Sequence, residues 1–189
     1  MSTRFRRPPK QLLKIGKRTL LETVVGKFWE SMVDEVIVVL GYDSNNIQQN
    51  SSLGQAKVVI NTEYRRGMGT SIRKGIEAVA PGSGAAILAL GDQPLLSVAS
   101  IDAIVQKYLE TGGPVVAPYF RGRRGNPVLF ARESFPHLMR IQGDRGAKAF
   151  ITKQGWKVVK VPVRDSGVLF DVDSEADYEE ALRRLRNSR

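Results

Sequence analysis

The stretch of residues 85–96 constrains the fold most, because it runs Ala-Ala-Ile-Leu-Ala-Leu-Gly-Asp-Gln-Pro-Leu-Leu. The first six residues are all small or apolar, and they predict a strand buried on both faces, as the strands of parallel sheets are. Gly91 then lets the chain turn, and Pro94 cannot continue a ladder of hydrogen bonds. Asp92 is therefore expected at the carboxyl end of a central strand, where open α/β sheets bind their ligands.

Asp92 has two interpretations at this point. A carboxylate at that end of a sheet is a suitable oxygen ligand for Mg²⁺. The same side chain would also be well placed to cap the helix that follows the strand. The stretch alone favours neither interpretation.

Strands and helices alternate on both sides of this stretch. Residues 1–18 are basic and contain Pro8-Pro9, so they are expected to form a loop. Helices are predicted to begin at two capping boxes, Thr19 with Glu22 and Ser174 with Asp177. Strands are predicted at 35–40, 57–61, 85–90, 114–119, 126–130 and 157–163, and helices at 20–32, 43–49, 70–79, 97–111, 132–138, 145–151 and 175–186. This alternation predicts one three-layer α/β domain over residues 1–189, with a mostly parallel sheet.

Composition excludes several kinds of active site. The chain of 189 residues has no Cys and one His, which rules out disulfides, thiolate metal sites, a cysteine nucleophile and a histidine-rich metal site. No apolar run approaches the roughly 20 residues of a membrane span, and no apolar segment follows Met1 as a signal peptide would require. A cytoplasmic protein with no membrane partner is expected.

The net charge of +10 admits three kinds of partner: nucleic acid, anionic membranes and phosphorylated small molecules. The charge is concentrated in residues 4–10 and 183–189, with a further cluster at Arg121, Arg123 and Arg124. Because the sequence has no nucleic-acid-binding motif, most of this charge is interpreted as solvated surface. A nucleic-acid-binding module driven by charge alone stays the least favoured hypothesis.

Several nucleotide and hydrolase motifs are missing, which narrows the chemistry. The chain has no Gly-x-x-x-x-Gly-Lys-Ser/Thr loop, no Gly-x-Gly-x-x-Gly fingerprint and no Gly-x-Ser-x-Gly elbow. The first candidate site that remains consists of Asp92 together with Asp171 and Asp173. Two carboxylates converging on Mg²⁺ would suit phosphate chemistry. Alternate residues of a strand face opposite sides, so only one of Asp171 and Asp173 is expected to face the site. Alternatively, either carboxylate could lie at the N-terminus of the last helix and interact favourably with the helix dipole.

Two further segments carry possible phosphate contacts. The basic N-terminal loop contains Arg4 and Lys10, which could stabilise a triphosphate or could belong to a flexible solvated tail. Residues 61–76 place glycines and hydroxyls before a helix, and their N–H groups can approach a base, ribose or phosphate closely. Ordinary helix capping would explain the second segment equally well.

Taken in order, these segments resemble the molybdenum cofactor nucleotidyltransferase family, the MobA-like NTP transferases, and in particular its cytidylyltransferase branch. Each motif is weak alone, but the set spans nearly the whole chain in family order. The matching segments are residues 2–5 with 9–13, 19–22, Asn61 with 67–75, 90–96, 124–130, 143–147 and 170–173.

The resemblance implies a Rossmann-like nucleotidyltransferase fold and Mg²⁺-dependent transfer of CMP from CTP to a phosphorylated pterin. It assigns Arg4, Lys10 and Asp92 to catalysis, and Asp92 with Asp173, preferred over Asp171, to the metal. The implied nucleotide contacts are Ser2, Thr3, Arg4, Lys10, Asn61, Gly69, Thr70 and Ser71. The implied contacts on the pterin side are Asn126, Asp144 and Arg145. A molybdoenzyme or its maturation chaperone is a further implied partner; GTP as the donor and a non-catalytic nucleotide-binding role in molybdoenzyme maturation remain as alternatives.

Two departures from the family pattern bear on specificity and completeness. Many cytidylyltransferase members have His where this chain has Asn126, which leaves the base or the acceptor open. The family begins with a strand ending in Leu-Ala-Ala-Gly-x-Ser-x-Arg, whereas this chain begins at Met1-Ser2-Thr3-Arg4. We hypothesise a translation start roughly 10 residues upstream, enough to complete a strand at about 3.3 Å per residue; an in-frame stop codon directly before Met1 would contradict this.

Overall fold

The computed structural model describes residues 9–144 and 156–187. Short 3₁₀ helices lie at Lys10–Leu12, Tyr64–Arg66, Arg132–Ser134 and Ser166–Leu169. The strands are β1 Lys14–Ile15, β2 Arg18–Thr19, β3 Ile37–Leu40, β4 Lys57–Ile60, β5 Ala85–Leu88, β6 Val115–Phe120, β7 Arg123–Arg124, β8 Val128–Ala131 and β9 Val158–Pro162. The α-helices are α1 Leu20–Trp29, α2 Ser44–Gln49, α3 Met68–Ala78, α4 Val98–Thr111, α5 Phe135–Leu138 and α6 Glu175–Asn187.

The larger sheet of the described residues has five strands in the order β5-β8-β6-β7, with β9 pairing to β6. The pairs β3·β4 and β6·β9 are parallel. Antiparallel pairing enters at β8, because the tight β6–β7 turn reverses the chain before β8 lies beside β5 and β6. The strands that the sequence predicts therefore form. The regular alternation of strands and helices ends after residue 119, where antiparallel pairing begins in this sheet.

The core lies on both faces of β6, which makes the architecture three-layered. Val115 and Ala117 pack with Ile76 of α3 and with Leu138 of α5. Val116, between them, packs instead with the residues around Ile104 of α4. Because successive residues of a strand face opposite sides, helices cover both faces of this strand.

Both predicted capping boxes form. At α1, the Glu22 N–H donates to Thr19 Oγ1 at 3.1 Å, and the Thr19 N–H donates to Glu22 Oε2 at 2.5 Å. At α6, the Asp177 N–H donates to Ser174 Oγ at 3.3 Å, and the Ser174 N–H donates to Asp177 Oδ2 at 2.8 Å. The α4 cap is Ser97, whose hydroxyl accepts from the Ser100 N–H.

Three expectations from the sequence are wrong in detail. Strand β5 is half-buried rather than buried on both faces, since within the described chain it pairs only with β8. Within the loop expected at residues 1–18, Lys14–Ile15 instead forms β1, which pairs antiparallel with β2 at Arg18–Thr19. Residues 166–169 wind into a 3₁₀ helix, so the chain through Asp171 and Asp173 is not the strand that the argument about alternating faces assumed. The helix predicted at 145–151 lies outside the described residues.

No helix among the described residues is both long and apolar enough to span a bilayer.

Candidate active site

Three charged side chains from distant parts of the sequence meet beyond the end of β5. The Lys10 ammonium donates to Asp92 Oδ2 at 2.5 Å and to Asp173 Oδ1 at 3.0 Å. It also donates to the Val172 carbonyl at 3.2 Å. The two carboxylates are thus held around one cation, in a group we call the Lys10–Asp92–Asp173 cluster.

The local backbone explains why these side chains meet. Asp92 follows β5 after a short turn, and its carbonyl accepts from the Val172 N–H at 2.9 Å. This bond fixes the 171–173 segment against the end of β5. Lys10 begins a 3₁₀ helix whose following residue, Leu13, accepts from the first N–H of α1 at 2.7 Å. The cluster therefore depends on three segments that are each tied down by backbone hydrogen bonds.

Two opposing effects act on the pKa of the Lys10 ammonium. Burial alone would lower it, but the hydrogen bond and charge of Asp92, followed by those of Asp173, raise the pKa above its ordinary value of 10.5. Lys10 is accordingly a cation throughout the neutral range. Its side chain is 14% exposed and that of Asp92 19%, whereas that of Asp173 is 63% exposed.

The cluster has the donor chemistry of a magnesium site. Asp92 Oδ1 is buried and has no hydrogen-bond partner, so one hard oxygen remains available beside Asp173. Within residues 9–144 and 156–187, no three His, Cys, Asp or Glu residues are grouped so as to hold a metal. Two carboxylates nevertheless suffice for Mg²⁺, which commonly takes one or two from the protein and completes its shell with phosphate oxygens and water. The residues present fit the ion.

Asp171 belongs to a different contact. Its Oδ1 accepts from Gln93 Nε2 at 2.6 Å. Burial raises the pKa of the Asp171 carboxyl above its ordinary range, while the Gln93 hydrogen bond acts in the opposite direction. Asp173 therefore joins Asp92 at Lys10, and Asp171 turns to Gln93.

A cavity of about 270 Å³ adjoins the Gln93–Asp171 contact. It is lined by four polar residues, Gln93, Arg124, Asn126 and Asp171, and by three apolar residues, Val128, Val168 and Leu169. Gly125 lies between the polar residues, and a Cβ at that position would fall 2.4 Å from the Val168 carbonyl oxygen. The close approach of these two segments shapes the cavity, and only Gly permits it.

The predicted nucleotide loop is organised by Asn61, which is fully buried. Its Nδ2 donates to Thr70 Oγ1 at 2.8 Å and to Ser71 Oγ at 2.9 Å. Its Oδ1 accepts from the Glu63 N–H at 3.0 Å. The Asn61 side chain is thus used to hold the loop, and no hydrogen bond among the described residues joins this loop to Lys10, Asp92 or Asp173.

The loop approaches the predicted pterin segment. The Gly69 N–H donates to the Gly143 carbonyl at 3.0 Å. Gly67 has a φ of +105°, and a Cβ there would lie 2.3 Å from the Gly143 carbonyl carbon. Asp144 is exposed at the end of this contact.

The structure describes some predicted site residues and not others. Lys10, Asp92 and Asp173 are brought together, Asn126 lines the cavity, and Asn61, Gly69, Thr70 and Ser71 form the loop. Ser2, Thr3, Arg4 and Arg145 lie outside the described residues, and their roles stay predictions.

Gln93 and Arg124 are candidate site residues that sequence reasoning missed. Gln93 is 1% exposed although it is polar. The available signal was its place directly after Asp92 in an otherwise apolar stretch, since a long polar side chain there must find polar partners when buried. Arg124 was visible in the sequence only as one member of a basic cluster with Arg121 and Arg123.

A family model for the MobA-like NTP transferase domain matches residues 1–158. The chain belongs to this family. The resemblance inferred from the motifs is thereby confirmed, and the chain carries a nucleotidyltransferase domain.

Two curated relatives are similar over much of this MobA-like chain. Nicotine blue oxidoreductase of Paenarthrobacter nicotinovorans is 29% identical over 182 residues, which cover 90% of this chain and 86% of the relative. The purine catabolism protein PucB of Bacillus subtilis (strain 168) is 29% identical over 125 residues, covering 65% of this chain and 60% of the relative.

Solved structures confirm the Rossmann-like nucleotidyltransferase fold. Rv0371c of Mycobacterium tuberculosis H37Rv in complex with manganese is 26% identical, with a TM-score of 0.82 over 93% of this chain and 92% of that one. CMP:2-keto-3-deoxy-manno-octonic acid synthetase complexed with CTP has a TM-score of 0.79 over 100% of this chain and 96% of that one. At 12% identity, this second likeness concerns the fold alone.

Proposed function

We propose that this protein is a Mg²⁺-dependent cytidylyltransferase that transfers CMP from CTP to the phosphate of molybdopterin or the molybdenum cofactor and releases pyrophosphate. The observation that supports this most is the meeting of Lys10 with Asp92 and Asp173, residues up to 163 positions apart. The choice of CTP as the nucleotide and of a pterin as the acceptor rests on the family and its motifs.

The proposed reaction needs no nucleophile from the protein. An oxygen of the acceptor phosphate attacks the α-phosphorus of CTP and forms a new P–O bond. The bond from the α-phosphorus to the oxygen bridging to the β-phosphate breaks, and pyrophosphate leaves with that electron pair. Catalysis then consists of positioning and of stabilising the charge that develops on the phosphate oxygens.

The residues of the cluster would divide this work between them. Asp92 and Asp173 would hold the divalent cation, which neutralises triphosphate charge and polarises the α-phosphoryl group when bound. Lys10 is a permanent cation beside them, suited to the oxygens of the triphosphate. Arg4 is proposed as a second triphosphate contact. The manganese in the Rv0371c complex supports a divalent cation for this fold.

The other predicted residues would bind the two substrates. The loop of Asn61, Gly69, Thr70 and Ser71 is proposed to bind the nucleotide, with Asn61 acting by holding the loop's two hydroxyls in place. Asn126, Asp144 and Arg145 are proposed to contact the pterin.

The test is pyrophosphate release with each of the four NTPs, Mg²⁺ and molybdopterin. Release with CTP is expected; release with GTP instead would make the protein a guanylyltransferase, and CTP binding without release would favour a non-catalytic nucleotide-binding role in molybdoenzyme maturation. Asp92→Asn should lower the rate by about 100-fold or more, as removal of one preorganised electrostatic group does. Asp43→Asn is the matched control, because Asp43 is at the start of α2 with a φ of 55°, which Asn tolerates. Wild-type turnover in Asp92→Asn would contradict the metal role.

One observation favours a second function. The similarity to nicotine blue oxidoreductase extends over 182 residues, so an oxidoreductase activity on nicotine blue is the competing candidate. A change in the absorbance of nicotine blue on incubation with the protein and a two-electron reductant distinguishes the two. Turnover in that assay with no pyrophosphate release in the first would replace the proposed function.

A further inference from the structure

The hydrogen-bond donors of the Lys10 side chain are all used by the protein itself. An ammonium group has three N–H donors and no acceptor. Lys10 Nζ donates to Asp92 Oδ2 at 2.5 Å, to Asp173 Oδ1 at 3.0 Å and to the Val172 carbonyl at 3.2 Å. Three donors thus meet three acceptors. A well-formed hydrogen bond from Lys10 to a phosphate oxygen therefore requires that one of these partners be released.

The same contact closes the Asp92 carboxylate to a metal ion. Oδ2 is the oxygen that Lys10 holds. Oδ1 has no hydrogen-bond partner, but it is buried, so an ion reaches it only after a neighbouring group has moved. The Asp173 side chain, in contrast, is 63% exposed. An entering cation therefore meets Asp173 first and finds the Lys10 ammonium between Asp173 and Asp92.

Charge disfavours the presence of both cations at once. Two carboxylates balance one divalent ion, and with Lys10 alone they keep one net negative charge. An ammonium group and a divalent ion held by the same two carboxylates would repel each other at close range. The Lys10 and Asp92 side chains are only 14% and 19% exposed, so this repulsion is weakly screened by solvent. The pair of carboxylates therefore favours one cation at a time.

The backbone of Lys10 is held in place, whereas its side chain is free to turn. Lys10 begins the 3₁₀ helix Lys10–Leu12, and its carbonyl accepts from the Leu13 N–H at 3.1 Å. The ammonium group is attached to this backbone by a flexible stem of four carbons. It can therefore leave the carboxylates by rotation of the side chain, with no change in the main chain.

We propose that Lys10 is an internal cation that occupies the place of the divalent ion in the empty site and exchanges with it when the nucleotide binds. Oxygens of the triphosphate replace the carboxylates and the Val172 carbonyl as the partners of Lys10, and Asp92 and Asp173 become free for the metal. Metal binding thereby depends on the nucleotide, and nucleotide binding depends equally on the metal, because such coupling is reciprocal. The inference rests on the proposed function for the triphosphate and the metal, and it adds the exchange of partners between them.

The test is titration with Mn²⁺ in the absence of nucleotide, with the free ion followed by electron paramagnetic resonance. Mn²⁺ shares the preference of Mg²⁺ for oxygen ligands. Lys10→Met removes the competing charge and should bind Mn²⁺ about tenfold more tightly than the wild type, because the ion no longer has to break a hydrogen bond between charged groups. Lys10→Arg keeps a cation at this position and should show no gain. Lys107→Met is the matched control: it removes the same charge from a surface pair with Glu110 and should bind Mn²⁺ as the wild type does.

The sign of the change decides between exchange and simple support of the carboxylates. If Lys10 only held Asp92 in place, Lys10→Met would bind Mn²⁺ less tightly; equal or weaker binding would overturn the proposal, as would no binding at millimolar concentration. Asp92→Asn combined with Lys10→Met should abolish the gain, and a gain that persists would place the ion elsewhere and overturn the proposal too. Lys10→Gln, which can hydrogen-bond to Asp92 without a charge, carries the same expectation and takes the place of Lys10→Met if circular dichroism shows that variant to be unfolded.

These outcomes are separable from those for the proposed function, because no turnover is measured. Tighter Mn²⁺ binding by Lys10→Met, together with no pyrophosphate release by the wild type, would keep the exchange and reject the cytidylyltransferase. Pyrophosphate release by the wild type, together with no gain in Mn²⁺ binding by Lys10→Met, would reject the exchange alone.

Discussion

The substitution Lys10→Met isolates the central contact of the site. It keeps most of the aliphatic length of the side chain and removes the ammonium group. Asp92 then loses its hydrogen bond at Oδ2. Because Asp92 Oδ1 already has no partner, both oxygens of a largely buried carboxylate would be left without a donor.

The magnitude follows from the exposure of each partner. Removing one partner of a fully buried ion pair costs about 3–5 kcal/mol, and a hydrogen bond to a charged group is worth about 1.5–3 kcal/mol. The Lys10 and Asp92 side chains retain 14% and 19% exposure, which admits some solvent. The contact to Asp173, at 63% exposure, adds less than about 1 kcal/mol. We expect Lys10→Met to lower the free energy of unfolding by about 2–3 kcal/mol.

The assay is urea unfolding at pH 7 in a double-mutant cycle with Asp92→Asn. The second substitution removes the uncompensated charge, so Lys10→Met should cost about 1 kcal/mol or less in that background, giving a coupling energy of about 2 kcal/mol. Lys107→Met is the matched control: Lys107 pairs with Glu110 at 2.5 Å on the surface and should cost no more than about 1 kcal/mol. A coupling energy below about 0.5 kcal/mol, or equal costs at Lys10 and Lys107, would refute the reasoning.

Two further predictions concern pH and packing. The pKa of Lys10 is raised by its carboxylate partners despite burial, so its contribution to stability is complete below pH 10.5 and is lost as the pH rises through the folded-state pKa. The pKa of Lys27 is lowered by burial, so the free-energy cost of its buried charge disappears as the pH rises toward 10.5. In urea unfolding between pH 8 and 11, the free energy of unfolding of the wild type should therefore fall relative to that of Lys10→Met and rise relative to that of Lys27→Met. Changes in the same direction for the two comparisons would contradict this. Gly125→Ala should lower the free energy of unfolding by about 2–4 kcal/mol, because its Cβ would meet the Val168 carbonyl oxygen at 2.4 Å, whereas Gly82→Ala, with nothing within 4 Å, should be nearly neutral in the same measurement.

Local signals in the sequence predicted the elements and their starts well. Thr19 and Glu22 specify both bonds of the capping box, since each partner is three residues away and needs no tertiary information. The apolar run at 85–88 predicted a strand because that signal, too, lies within a few consecutive residues. Its degree of burial did not follow, because burial depends on what lies beside the strand in space. The 3₁₀ helix at Ser166–Leu169 was missed because a short apolar run does not distinguish such a turn from a strand.

In the candidate site, too, local sequence signals identified residues but not the tertiary contacts between them. The carboxylates Asp92 and Asp173 were recognisable as residues because motifs mark them, yet their meeting at Lys10 depends on a tertiary bond between the Val172 N–H and the Asp92 carbonyl. Gln93 carried no motif of its own. Its importance becomes visible only once its burial and its unpaired oxygen are known.

The order of residues at the end of β5 explains why the two side-chain contacts of the site lie so close together. Asp92 and Gln93 are neighbours in sequence, and each meets a different residue of the 171–173 segment: Asp92 meets Asp173 through Lys10, and Gln93 meets Asp171 directly. The bond between the Val172 N–H and the Asp92 carbonyl lies between these two contacts and holds both in register. A change in the 171–173 backbone would therefore disturb both contacts together, whereas a change to one side chain can separate them. Lys10→Met and Gln93→Met should accordingly act on different contacts of the same site, the first on the cation shared by Asp92 and Asp173 and the second on the hydrogen bond to Asp171.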